Sequence, residues 1–139
     1  MKPKNITPIH CVGFFYYAFG HVTDGEITDE EVNEIITQLK VWCPEEVCPD
    51  YQGLVNEIVD WYAGIYDLGK EELQKTIGLC ASAIKNFFEK QSDNISEGLK
   101  RDFINALVKI AKADGVVKDS EKAWLKNMSN IMSVENPDI

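Results

Sequence analysis

The chain has 139 residues, about one domain's length and enough to build a core without a disulfide framework. Hydrophobic residues make up 45% and charged residues 27%, which excludes an intrinsically disordered chain. Fourteen Lys and Arg stand against 23 Asp and Glu, and the resulting formal charge of −9 opposes a general nucleic-acid binder, whose phosphate affinity comes from clustered cations. That balance fits a basic protein partner, a bound cation, or only a soluble surface.

The first residues, Met1 to Pro8, are too short and polar for a secretory signal, and the apolar run from Ile9 to Phe19 is broken by His10, Gly13 and two tyrosines. No stretch approaches the roughly 20 apolar residues that span a bilayer, so no membrane association and a cytoplasmic location are expected. Gly13 to Phe19 is apolar nearly all round at helical spacing, which predicts the central helix of the core. His10 and His21 stand apart from other ligand-type residues and read as a core or surface histidine each. Aromatic density around Phe14, Tyr16 and Tyr17 reads as packing in preference to a ligand pocket.

Asp24 to Glu31 reads Asp-Gly-Glu-Ile-Thr-Asp-Glu-Glu, and an equivalent stretch, Asp-Gly-Val-Val-Lys-Asp-Ser-Glu, runs from Asp114 to Glu121. An offset of 90 residues places Asp24 on Asp114, Gly25 on Gly115, Asp29 on Asp119 and Glu31 on Glu121, with Ile27 on Val117. The repetition predicts an internal duplication, with related segments 13–42 and 103–132 inside one domain covering 1–139. Gly25 and Gly115 supply the permissive backbone of a helix end or turn. Thr28 is an N-cap with Glu31 three residues later, a capping box, and Ile27 with Val32 forms a hydrophobic staple across it. Lys118 replaces Thr28 in the second copy, so a different cap, such as Asp119, is expected there.

Val32, Ile35, Ile36, Leu39 and Trp42 share one helical face, and Pro44 ends that helix. Leu54 to Tyr66 marks a third helix, and Leu73 to Phe88, entered after Gly69, a fourth. Ile95, Leu99, Phe103, Leu107 and Ile110 carry a fifth to the second turn, and Trp124 to Met132 a sixth. Sustained strand alternation is missing throughout. The expected fold is therefore an all-α bundle of about six helices.

Cys43 and Cys48, each followed by Pro, look like half of a zinc site that Cys11, Cys80 and His10 would have to complete. Cys11 and Cys80 occupy helical positions suited to a small buried hydrophobe. Inert thiols are preferred over zinc, and a Cys43–Cys48 disulfide is expected still less in a reducing cytoplasm.

The segment Ala106-Leu-Val-Lys-Ile-Ala-Lys-Ala-Asp-Gly-Val-Val-Lys-Asp-Ser-Glu121, followed by Lys-Ala-Trp-Leu125, resembles the signature of the TerB-like (tellurite resistance protein B) family. Tyr17-Ala-Phe-Gly-His-Val-Thr-Asp-Gly-Glu-Ile-Thr-Asp-Glu-Glu31 is similar to that family's amino-terminal copy, with Thr23 where Ala is more typical. The resemblance implies an all-helical domain with internal pseudo-symmetry, a part in tellurite and other stress responses, and metal binding.

The acidic turns also match the second half of an EF-hand loop, but the first and third loop positions would be Gly20 and Val22, or Ile110 and Lys112. Calcium wants roughly six to eight oxygens, so a complete EF-hand is excluded. If the two turns meet, Asp24, Glu31, Asp114 and Glu121 form one or two weak sites for a divalent cation, calcium or magnesium, or for a basic ligand. Against this, Lys112 and Lys118 oppose a cation at the second turn, and Glu31 and Glu121 serve equally well as helix caps. The expected function is a non-catalytic TerB-like module with a protein partner, either as a monomer or a homodimer. The alternatives are an interaction domain without metal and, ranked lower, a metal-dependent hydrolase, for which no base and open metal position are recognisable.

Overall fold

The computed structural model describes residues 3, 5–24, 27–44, 46, 48–113, 115 and 117–137, with 23 and 24 described by backbone only. Six helices follow one another: α1 (Pro8–Asp24), α2 (Asp29–Trp42), α3 (Tyr51–Asp67), α4 (Lys70–Glu89), α5 (Asp93–Lys112) and α6 (Asp119–Met132). The fold is all-α, and no strand occurs among the described residues.

The all-round apolarity of α1 is what organises the bundle. Phe14, Tyr16, Ala18 and Phe19 are completely buried and Phe15 is nearly so. A helix without a polar face must be covered on every side, and α1 packs against each of the other five. Around it α3 lies beside α4, α4 beside α5, and α5 beside both α2 and α6. Aromatic rings join the layers. Tyr16 stacks on Phe103 of α5 with ring centroids 5.3 Å apart, and Trp42 of α2 stacks on Phe88 of α4 at 5.6 Å.

Local chemistry sets the helix limits, and α3 begins at Tyr51, one turn ahead of the apolar stripe that starts at Leu54. The Asp50 side chain accepts a hydrogen bond from the Gly53 amide, 3.1 Å, and caps α3. Gly69, with φ +112°, makes the left-handed turn that separates α3 from α4. Apolar periodicity overreaches in one place. Ile95 continues the stripe of α5 into its first turn, but it is 55% exposed because the core it would face has ended.

Two expectations are corrected. Cys43, the C-cap of α2, and Cys48 are joined by a disulfide with a Cα–Cα separation of 6.0 Å. After α2 the chain curls through one turn, with the Cys48 amide bonded to the Pro44 carbonyl at 2.9 Å, and this returns Cys48 to Cys43. The two sulfurs are bonded to each other, so neither is an inert thiol or a zinc ligand. The cap of α6 also differs from expectation. Lys118 occupies the N-cap position and Asp119 is the first helical residue.

Candidate functional site

Each acidic turn closes a helix–turn–helix unit. Its second helix, α2 or α6, has 14 residues and begins at equivalent positions, Asp29 and Asp119. The N-cap backbones are superimposable in conformation: φ −80°, ψ 160° at Thr28 and φ −83°, ψ 159° at Lys118. Glu31 and Glu121 are both completely buried.

In the first turn the Thr28 hydroxyl accepts the Glu31 amide at 3.1 Å, while Glu31 Oε1 accepts the Thr28 amide at 3.2 Å and the Thr28 hydroxyl at 3.1 Å. The predicted capping box is therefore formed. In the second turn only the returning half is a true cap: the Lys118 amide donates to Glu121 Oε1 at 2.9 Å. An ammonium has no lone pair with which to accept the N3 amide.

Gly20 helps Glu31 reach its place. A Cβ there would stand 3.1 Å from Ile27 Cδ1 and 3.7 Å from Glu31 Oε2, so the missing side chain lets the turn fold back onto α1. Gly115 holds φ +86° and donates its amide to the Lys112 carbonyl at 2.9 Å, a helix-end geometry that a Cβ would strain. Asp29 and Asp119 are exposed and favourably placed at positive helix ends.

Gly25, Asp114 and the side chain of Asp24 lie outside the described residues. Among the described residues, no three His, Cys, Asp or Glu side chains are grouped so as to hold a metal ion. What the structure does place is a pair of buried carboxylates, one per turn, each oriented by backbone amide donors at the start of a helix. Such groups are suited chemically to a hard cation or a basic ligand.

Two further clusters went unnoticed in the sequence. His21, just before the first turn, has Nδ1 2.7 Å from the Tyr62 hydroxyl and meets Tyr62 and Tyr66 edge-on. Burial, then the neighbouring Tyr66 and Tyr17 phenols, pushes the Tyr62 phenol above its ordinary range, so the hydroxyl beside Nδ1 stays neutral. His21 and Tyr66 line a cavity of about 400 Å³ with Lys70 and Leu73. The spacing of Tyr62 and Tyr66 on one helix face was the available signal, but nothing in the sequence pairs it with His21. The second cluster is Cys11 with Cys80, which meet across α1 and α4.

A bundle built on one encased helix, with the same Asp-Gly helix–turn–helix unit near each end of the chain, defines a class of all-helical modules with paired acidic turns. The family model described as "Tellurite resistance protein TerB" matches residues 21–139, both turns included, and the chain belongs to that family. No curated protein and no solved structure matches it. None of the described helices is long and apolar enough to cross a membrane.

Proposed function

We propose that this chain is a non-catalytic TerB-like stress-response module that binds a divalent cation, calcium or magnesium, through its two acidic turns. Glu31 and Glu121 supply the buried oxygens, and Asp24 and Asp114 complete the ligand set. The observation that carries this reading is the complete burial of both glutamates at equivalent helix starts. Burying a carboxylate is costly, and a cap alone can be made at the surface. A formal charge of −9 adds a favourable field for a cation and an unfavourable one for nucleic acid. The tellurite response named by the family, and a cytoplasmic setting, belong to this proposal as well.

The test is calorimetric titration of the metal-free protein with calcium, magnesium, manganese and zinc, together with melting curves. Saturable binding of one hard cation, with a raised melting temperature, is expected. The double variant Glu31→Gln, Glu121→Gln should stay folded and lose that binding. An intact protein that binds no hard cation, or a folded double variant with unchanged affinity, overturns the proposal.

A second reading, a partner-docking domain that uses no metal, draws on a different surface. An apolar cavity of about 240 Å³ is lined by Ile9, Val12, Trp42, Ile84, Phe87 and Phe88. Phe87 is 41% exposed at its edge, a large ring left in water where a partner side chain would cover it.

A further inference from the structure

Cys11 of α1 and Cys80 of α4 are the free cysteines, and both are buried, with 7% and 2% of their surface exposed. They lie on two helices in direct contact and line a single cavity of about 360 Å³. Its other walls combine apolar Ile6, Trp61 and Ile65 with polar Glu72, Lys75 and Thr76. The two thiols lie close enough to perturb one another. A pair of ordinary core cysteines needs neither this mutual contact nor a cavity over it.

The geometry points to a redox-active dithiol: a small hydroperoxide enters the cavity between α1, α3 and α4 and oxidises Cys11 and Cys80 to a disulfide that ties α1 to α4. The cavity decides the oxidant class. The two sulfurs are almost completely buried, which excludes a bulky disulfide such as oxidised glutathione, whereas hydrogen peroxide is small and neutral.

The roles of the two sulfurs differ. Cys80 donates its S–H to Cys11, which holds the Cys11 thiol below its ordinary value. Giving that hydrogen bond, together with burial, pushes the Cys80 thiol up. Cys11 is also the more accessible of the two, 7% exposed against 2%, which makes it the nucleophile and Cys80 the resolving thiol.

Cys11 loses its proton to water, and its sulfur attacks one peroxide oxygen. An S–O bond forms, the O–O bond breaks, and the departing hydroxide takes up a proton to become water. The sulfur of Cys80 then attacks the Cys11 sulfenic acid. The S–S bond forms, the S–O bond breaks, and hydroxide leaves as water with the Cys80 proton. Two thiols lose two electrons, and hydrogen peroxide is reduced to two waters.

The experiment uses the full chain with its Cys43–Cys48 bridge intact. It is treated with a small excess of hydrogen peroxide, alkylated, and mapped by mass spectrometry without reduction. The expected product is one peptide pair linked through Cys11 and Cys80, lighter by two hydrogen atoms and restored by dithiothreitol. Cys80→Ala should leave a sulfenic acid at Cys11 that dimedone traps, and Cys11→Ala should leave Cys80 unoxidised. Two free thiols after peroxide treatment of the folded wild-type chain overturn the proposal without reliance on any variant. Oxidation of Cys80 ahead of Cys11, or cross-linking only between molecules, overturns it too.

Discussion

Trp42 Nε1 donates a 2.8 Å hydrogen bond to the Tyr16 hydroxyl, tying the last residue of α2 to the middle of α1. Tyr16 is completely buried, and burial pushes its phenol above the ordinary range, so this hydroxyl stays neutral and serves as a fixed acceptor in the core. Tyr16→Phe preserves the stacking on Phe103 but strands the indole N–H, at a cost of about 1–3 kcal/mol. In urea unfolding, Tyr16→Phe combined with Trp42→Phe should cost less than the sum of the single changes. Strict additivity would show that the pair contributes nothing beyond its packing.

At Gly13 the side chain of Ile58 from α3 comes close to the backbone of α1. A Cβ there would fall 2.5 Å from Ile58 Cδ1, and Ile58 is itself only 2% exposed. Gly13→Ala gains about 1 kcal/mol of helix propensity and loses about 1–3 kcal/mol to overpacking. The net effect expected is destabilisation. Adding Ile58→Val removes the clashing methyl and should recover part of the loss. Thermal melts of the single and double variants measure this, and a more stable Gly13→Ala protein would contradict it.

The two acidic turns permit a comparison of caps in one molecule. Thr28→Ala removes the hydroxyl that accepts the Glu31 amide and should cost about 1 kcal/mol. Lys118→Thr places a hydroxyl on a backbone already in the same conformation and should stabilise the protein by about 0.5–1 kcal/mol. Guanidinium denaturation of both variants provides the check. Equal and opposite shifts would show that the two turns differ only in the cap.

Glu89 at the end of α4 accepts a 3.0 Å hydrogen bond from Lys100 of α5. That bond, followed by the Lys100 and Lys85 charges, holds the Glu89 carboxyl below its ordinary range. A depressed carboxylate stabilises the fold fully above its unfolded pKa of about 4.3, and the contribution disappears as the pH falls through the lower folded value. The acid limb of the stability–pH curve should therefore become shallower in Lys100→Met, with stability at pH 2 nearly unchanged. An acid limb of the same steepness in that variant would remove the pair from the account. Because Glu89 is substantially exposed, added salt should weaken the same contribution in the wild-type protein.

The sequence by itself determined the helices, because their causes are local. Threonine at position 28 with glutamate three residues on caps α2, Asp50 caps α3, Gly69 divides α3 from α4, and a 3.6-residue apolar period marks the faces. The central place of α1 was also legible, since a helix such as Phe14 to Phe19 with no polar side can be stable only when surrounded. The repeated Asp-Gly turns were visible as letters.

Tertiary structure decided everything that depends on two distant residues meeting. The burial of Glu31 and Glu121 is a property of the packed bundle, and for Glu31 it includes an approach to Gly20 of α1 that no spacing reveals. Cys43 and Cys48 bond because one turn of chain after α2 reverses on itself, against the expectation drawn from a reducing compartment. Cys11 and Cys80, 69 positions apart, and His21 and Tyr62, 41 positions apart, come together because α3 and α4 wrap α1 in a register set by packing volume. A hydrophobic period records which face of a helix is covered, but the identity of its neighbour is a property of the assembled core.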